Sequence, residues 1–197
     1  MLKHCGRRAL PHVRNFLETM GGLYAYAASV YSRNLSTTRR PFYISHPRFF
    51  LIHLVDPHLM CIPSLHVMIV IRTYTLFREI IRNLGEEGRF SPQAEELRRG
   101  ALAITEAVLY VKQHSVNCIP AAMYAMTCYE SSLFPIEEAE LFLEDLFNNT
   151  MAPGKEDAIE IKKHILGLYR SFCAEGEEAG SWQKPLLDFL DKQSKNF

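Results

Sequence analysis

Helical spacing of apolar residues runs through most of this chain and constrains its fold more than any other feature. Apolar residues recur three or four positions apart, whereas alternating apolar and polar runs bounded by turn residues do not recur. The sequence therefore predicts an all-α fold, a bundle of helices. We expect helices near residues 10–31, 48–54, 64–83, 92–113 and 116–131, and amphipathic helices near 135–147, 155–173 and 182–192.

The strongest helix-start signal lies at Ser91-Pro92. Serine is a favoured N-cap, proline is favoured at the first helical position, and Glu95 places an acidic side chain near the first turn. This pattern predicts a helix that begins at Pro92 and follows a loop over residues 85–91.

The composition changes after Phe134, where acidic amphipathic segments follow the more apolar ones. This change predicts a helical core over residues 1–134 and a helical extension over residues 135–197. Apolar residues of the extension could form buried faces: Ile136, Leu141, Leu146, Phe147, Ile159, Ile161, Ile165, Leu166 and Leu168. Ordinary bundle packing explains such faces, and a cap or partner-docking appendage is the functional alternative.

Three polar segments stand out against this helical background. They are a basic segment (residues 33–41, with Arg33, Arg40 and Pro41), a serine–histidine segment (Pro63-Ser64-Leu65-His66) and a lysine–histidine segment (Lys112-Gln113-His114). Each segment alone has an ordinary explanation: a solvated loop, a helix N-cap or a polar helix end. Their order and spacing together favour a shared functional site.

Phosphate chemistry needs the residue types that these segments supply. Phosphoryl transfer is catalysed mostly by positioning and by cationic stabilisation of the equatorial oxygens. Arg33 and Arg40 offer guanidinium forks, Lys112 offers a point charge, and Ser64 offers a hydroxyl donor. Of two histidines, one neutral imidazole can attack phosphorus while the other, protonated, gives its proton to the leaving oxygen.

With this order and spacing, the segments resemble the three-part signature of the type 2 phosphatidic acid phosphatase and vanadium haloperoxidase superfamily. That signature is Lys-x6-Arg-Pro, then Pro-Ser-x-His, then a segment ending in His. Leu65 stands where Gly is commoner, as in the branch resembling phospholipid and sphingolipid synthases, and the third segment looks like the Lys-Gln-His variant of bacterial members.

The resemblance implies a helical phosphatase core and metal-independent hydrolysis of a phosphomonoester or a lipid (pyro)phosphate. The reaction would pass through a phosphohistidine, with His114 as nucleophile and His66 as acid. No cofactor is implied, and vanadate would enter only as a phosphate mimic. The phosphate-binding residues implied are Arg33, Arg40, Ser64, Leu65 and Lys112.

The lysine–histidine segment departs from the family pattern at one position of the site. Four residues after His114 the family has an Asp that orients the nucleophilic imidazole, and this chain has Cys118. An attacking imidazole needs its other nitrogen held by an acceptor. Asn117 or Cys118 could take this place, and a backbone carbonyl, Glu106 or Asp56 are further alternatives.

Other functions stay open at this point. A headgroup phosphotransferase would use an alcohol instead of water in the second step. A catalytically impaired family member would bind phosphorylated lipid or a partner protein. Two departures from the family pattern motivate this alternative: Cys118 in place of Asp, and Ala107 in place of the usual Ser. A helical scaffold with chance motif matches predicts that the two histidines lie far apart.

Charge and hydropathy limit the partners. The 197 residues carry 22 basic and 22 acidic side chains, which argues against a nucleic-acid binder. No stretch supplies about twenty consecutive apolar residues for a membrane span, and no secretory signal is expected because Pro11 and Glu18 interrupt the apolar region after the basic start. Local basic clusters could lie against anionic headgroups. We expect a membrane or membrane-associated protein, with a soluble cytoplasmic protein as the alternative.

Five cysteines at irregular spacing do not indicate a disulfide framework. Residues of the types that bind zinc occur near the serine–histidine segment and beyond it: His53, His58, Cys61, His66 and Cys118. Their spacing lacks the tight pairs of familiar structural zinc sites. We therefore predict buried thiols and packed imidazoles, and no metal site.

Overall fold

The computed structural model describes residues 6–37, 51, 54, 60–111, 113–149 and 153–194. Within them a short 3-10 helix, Gly6–Ala9, precedes seven α-helices. These are α1 (Leu10–Tyr31), α2 (Leu65–Asn83), α3 (Glu87–Tyr110), α4 (Cys118–Tyr129), α5 (Ile136–Asp145), α6 (Lys155–Ala179) and α7 (Gln183–Ser194). The described residues contain no strand, and one isolated bridge joins Ser36 to Met60. The predicted all-α fold is confirmed, while the expected helix at 48–54 lies outside the described residues except for Leu51 and Leu54.

The starts of α1 and α2 agree with the sequence prediction. Helix α1 spans Leu10–Tyr31 as expected. Ser64 is the N-cap of α2, and its hydroxyl accepts a hydrogen bond from the Val67 N–H at 3.5 Å. The cap satisfies one of the N–H groups that lack an acceptor within the helix.

The predicted start of α3 was wrong. The helix begins at Glu87, so Pro92 lies inside it and the expected loop over residues 85–91 shrinks to a short turn. Pro92 removes one helical hydrogen bond. However, Phe90 in the added turn is 7% exposed and packs against Ile81 of α2, and burying such a ring contributes about 1.5–3 kcal/mol. This tertiary contact outweighs the local cap signal.

The predicted end of α6 was also wrong. The helix continues past Cys173 to Ala179 and ends at Gly180, whose φ of 63° is the left-handed conformation typical of a helix end. Gly176 lies inside α6, and a glycine is needed at this position because a Cβ would overlap the Tyr124 hydroxyl. That glycine permits close approach of α4 and α6 and does not end the helix.

Helix α4 forms the centre of the bundle. All of its residues from Cys118 to Thr127 are buried, as expected for a helix that is apolar on all sides. One cluster of buried side chains extends from Leu23 of α1 to Leu190 of α7, so core and extension share it. Among described residues, no helix has both the length and the apolarity to cross a bilayer.

The apolar residues of the extension divide between the core and the surface. Leu146 and Ile165 are fully buried, as expected, whereas Leu141 and Ile159 are 56% and 66% exposed. Apolar character alone therefore does not decide which residues of the extension are buried.

Candidate functional site

Two histidines from distant parts of the chain meet beside the start of α2. His66 Nδ1 and His114 Nε2 are 3.2 Å apart. The ring centroids are 5.4 Å apart and the ring planes are inclined by 68°, so the rings meet through these nitrogens and are not stacked. The residues that the sequence singled out as nucleophile and acid are therefore in direct contact.

The turn before α2 places His66. Ser36 lies against this turn, and its hydroxyl accepts a hydrogen bond from the Ile62 N–H at 2.9 Å. Tyr31, at the end of α1, donates its hydroxyl to the Pro63 carbonyl. Burial raises the pKa of Tyr31, which keeps this hydroxyl protonated as a donor. Two contacts from the α1 end thus fix the backbone from which His66 projects.

The end of α3 places His114. The backbone N–H groups of Gln113 and His114 both donate to the Val108 carbonyl, at 3.0 and 3.1 Å. The chain then enters α4 through a hydrogen bond from the Cys118 N–H to the Ser115 carbonyl at 3.0 Å. A buried helix on one side and a helix end on the other therefore hold His114, which is 7% exposed.

A 3.2 Å contact between two imidazole nitrogens is a hydrogen bond, which limits which of the two nitrogens carries a proton. One nitrogen must carry the proton and the other must accept it, since two N–H groups or two lone pairs facing each other repel. If His66 Nδ1 carries the proton, His114 Nε2 accepts that hydrogen bond and is itself unprotonated, as a nucleophile requires. For His66 to act as the acid, its Nε2 must carry a second proton, so that the ring is an imidazolium.

A cavity of about 1000 Å³ has His114 in its wall, whereas His66 does not line it. Its wall combines the segment after α1, the last turns of α3, residues 114–117 and the two last helices. The lining includes Leu35, Tyr110, Val116, Phe147, Ile161, Phe189 and Leu190. Asn34 donates its amide to Asp191 at 3.0 Å, which joins the segment after α1 to α7 beside this cavity. A buried histidine thus adjoins a largely apolar space, while His66 itself is exposed.

Neither candidate orienter from the sequence is hydrogen-bonded to His114. The side-chain oxygen of Asn117 accepts from His164 Nε2 at 2.7 Å. The Cys118 thiol lies 3.3 Å from the Ser115 hydroxyl, and burial raises its pKa to about 11. At neutral pH Cys118 is a neutral thiol, so it does not replace the charge of a carboxylate.

Glu106 was a further alternative for this role, and the structure gives its carboxylate another contact. Glu106 Oε1 accepts from the Phe147 N–H at 2.6 Å. Phe147 has a φ of 62°, a conformation that costs a non-glycine residue about 1–3 kcal/mol. Both residues line the cavity. The hydrogen bond holds the Phe147 ring in the cavity wall against this cost.

The predicted phosphate-binding residues are only partly described. Ser64 is fully buried and serves as the α2 N-cap, Leu65 is the first residue of α2, and Arg33 is exposed. Arg40 and Lys112 lie outside the described residues, as does Asp56. The structure thus gives the geometry of the two histidines and of the helix start. The binding of phosphate by Arg33, Arg40 and Lys112 stays a prediction.

The sequence did not identify Tyr31, Ser36 or Phe147 as residues of the site. A motif marks none of them, because a tyrosine at a helix end and a serine in a loop are common in any helical protein. Their roles depend on chain segments that pack together only in the folded protein. Among the described residues, no group of three His, Cys, Asp or Glu side chains is arranged to hold a metal ion; His53 and His58 lie outside them.

Comparison of the chain with protein-family models, with curated proteins and with solved structures found no match. The resemblance to the phosphatase superfamily therefore stays a prediction that the three segments carry.

Proposed function

We propose that this protein is a phosphohydrolase that cleaves a phosphomonoester or a lipid (pyro)phosphate through a phosphohistidine intermediate. The single observation that carries the proposal is the 3.2 Å contact between His66 Nδ1 and His114 Nε2. The two histidines are separated by 48 positions in the sequence. A chance match of two short segments gives no reason for their imidazoles to meet.

The first step forms one bond and breaks another. The lone pair of His114 Nε2 attacks phosphorus, and the bond from phosphorus to the leaving oxygen breaks with its electron pair on oxygen. His66 gives its Nδ1 proton to that oxygen, so an alcohol or a phosphate leaves neutralised by one proton. In the second step water attacks phosphorus and His66 takes a proton from the water, while the bond from phosphorus to His114 Nε2 breaks with its electron pair on nitrogen and inorganic phosphate leaves.

The rings must separate when substrate binds. A nucleophile, phosphorus, a leaving oxygen and a proton donor in line need more room than 3.2 Å between the two nitrogens. His66 is exposed and lies in the first turn of α2, whereas His114 is buried. We therefore expect His66 to move aside and His114 to stay in place.

The start of α2 supports phosphate binding beside the histidines. The first N–H groups of a helix have no acceptor within the helix and carry a partial positive charge. Leu65 and His66 occupy that first turn. Their backbone N–H groups are placed to donate hydrogen bonds to a phosphate held at His66. The cations predicted at Arg33, Arg40 and Lys112 would add to this binding.

Leaving-group dependence tests this proposal. His114→Ala should abolish phosphate release from both phosphatidic acid and para-nitrophenyl phosphate, because the nucleophile is gone. His66→Ala should slow cleavage of phosphatidic acid about 10²–10⁴-fold, the usual contribution of a general acid. It should slow para-nitrophenyl phosphate far less, because nitrophenolate leaves without a proton. His12→Gln, which removes an imidazole on α1, serves as the control and should keep full activity.

The proposal fails if His114→Ala retains turnover, or if His66→Ala slows both substrates equally. Acid-labile labelling of the wild type by a ³²P-substrate would add direct support for a phosphohistidine. Addition of an alcohol acceptor, followed by product analysis, separates hydrolysis from headgroup transfer.

A second candidate is a catalytically impaired protein that binds phosphorylated lipid. The observation that favours it is that Asn117 pairs with His164 and Cys118 is a neutral thiol beside Ser115. Replacing the orienting carboxylate of a catalytic histidine by a neutral group costs orders of magnitude in rate, and neither Asn117 nor Cys118 supplies that charge. Binding of inorganic phosphate or phosphatidic acid that depends on His66 and His114, with no turnover, would support this candidate.

A further inference from the structure

Helix α1 carries an apolar stripe on its surface. Leu10, Val13, Leu17 and Tyr24 are 51%, 37%, 66% and 52% exposed. They are spaced three, four and seven positions apart, so they lie along one face of the helix. Leu23, by contrast, faces the core and is fully buried. Leu10, Leu17 and Tyr24 thus form a second apolar face, and Val13 lies at its edge, where it lines a small groove with Phe77 and Ile80 of α2.

Basic side chains border this stripe at its N-terminal end. Arg7 lies one 3-10 turn before Leu10 and Arg14 lies one α-helical turn after it, and both are exposed. Arg14 pairs with Glu18 at 2.8 Å, with the two side chains 83% and 61% exposed. Such an exposed ion pair contributes little to stability, so an anionic group can replace Glu18 as the partner of Arg14. The stretch Gly6–Tyr31 holds three arginines and one glutamate. Arg8 pairs with Glu86 at 3.2 Å, so the local positive excess comes from Arg7 and Arg14.

We propose that α1 docks this protein on the surface of an anionic phospholipid bilayer. The apolar stripe would enter the boundary between headgroups and acyl chains, and Arg7 and Arg14 would contact the headgroup phosphates. An exposed apolar stripe bordered by arginines is the pattern of helices that lie in the membrane interface. The proposal is independent of the phosphohydrolase reaction, since it uses no residue of the histidine site.

Charge favours a bilayer over a second copy of the chain. The spacing of the stripe also suits a helical partner. A second copy, however, would bring the same excess of positive charge to the contact, whereas anionic headgroups complement it.

Docking leaves α1 attached to the bundle. Tyr26 stacks on Trp182 with ring centroids 3.8 Å apart and planes inclined by 10°. Tyr24 and Tyr26 are two positions apart, which is about 200° around an α-helix. The stack therefore lies on the side of α1 away from the stripe. Trp182, the only tryptophan of the chain, reports whether α1 stays in place.

Vesicle co-sedimentation of the full chain tests the proposal. The wild type is compared on phosphatidylcholine vesicles with and without phosphatidylglycerol, at low and at high salt. Leu10→Gln/Leu17→Gln should weaken binding to the anionic vesicles about tenfold or more, because two apolar side chains no longer enter the interface. Leu141→Gln/Ile159→Gln changes two equally exposed residues on α5 and α6, and this control should bind as the wild type does.

A second variant separates charge from apolar contact. Arg7→Gln/Arg14→Gln should bind anionic vesicles more weakly and with less salt dependence, because counterion screening acts on the removed charges. All variants should keep the Trp182 emission of the wild type, which shows that α1 remains folded on the bundle.

Three outcomes overturn the proposal. The first is the absence of wild-type binding to anionic vesicles. The second is an equal loss of binding in the α5–α6 control. The third is dimerisation of the wild type in solution that Leu10→Gln/Leu17→Gln abolishes while vesicle binding stays unchanged, which would assign the stripe to a second copy of the chain.

Discussion

The ion pair between Arg72 and Glu130 offers a sharp test of how the site-bearing helices are held together. Arg72 lies on α2, the helix that begins beside His66, and Glu130 is the C-cap of α4, which follows His114. Arg72 Nη1 and Glu130 Oε2 are 3.2 Å apart, with side chains 4% and 28% exposed. The arginine is thus almost fully removed from water, and the glutamate is not.

This asymmetry predicts different costs for removing either partner. At an effective dielectric constant of about 20, the attraction at this distance amounts to about 5 kcal/mol, most of which offsets desolvation. Glu130→Gln leaves a buried cation without its counter-charge, and we expect it to lower the free energy of unfolding by about 3 kcal/mol. Arg72→Met leaves a carboxylate that water can reach, and we expect a loss of about 1 kcal/mol. The double variant should be more stable than Glu130→Gln alone.

Urea unfolding followed by circular dichroism measures these differences, and the melting temperature of Glu130→Gln should fall by about 6–12 °C for a chain of this size. Glu18→Gln, which removes the exposed partner of Arg14, is the control and should change stability by less than about 0.5 kcal/mol. If Glu130→Gln costs less than Arg72→Met, Arg72 is not desolvated as described and the reasoning is refuted.

Two further predictions concern α4 and its neighbour. Burial raises the pKa of Cys118 from 9.0 to about 11, so the neutral thiol favours the folded state fully below pH 9. Cys118 should thus contribute a loss of about 3 kcal/mol between pH 9 and 11, in addition to the loss from Cys173, whose pKa burial also raises to about 11; Cys118→Ala should reduce the slope in that range, and an unchanged slope would contradict the assignment. Gly176→Ala should destabilise the protein by about 1–2 kcal/mol because its Cβ overlaps Tyr124, whereas Gly167→Ala, with open space in the same helix, should gain about 0.5–1 kcal/mol. Thermal melts of both variants decide this, and equal effects would argue against the close approach of α4 and α6.

The helical fold could be predicted because its signals are local. Apolar spacing predicted the bounds of α1, and Ser64 predicted the start of α2. The start of α3 and the end of α6 could not be predicted in this way. Both depend on contacts with distant residues, since Phe90 packs on α2 and Gly176 makes room for Tyr124.

The two histidines of the candidate site could be predicted because each ends a short segment with recognisable chemistry. Their surroundings could not. Asn117 was a candidate partner of His114, but its side chain bonds His164, 47 positions further along the chain. The cavity wall includes Phe147 and Leu190, whose apolar character indicates burial but not what they surround.

The hydrogen bond from Asn34 to Asp191 has a consequence for the order in which the protein matures. It joins residues 157 positions apart, and α7 supplies part of the cavity wall next to His114. During synthesis the two histidines leave the ribosome well before α7, because they precede it in the chain. Folding follows the order in which the chain becomes available. The cavity is therefore completed last, and a nascent chain stalled before residue 183 would hold both histidines while lacking the part of the cavity wall that α7 supplies.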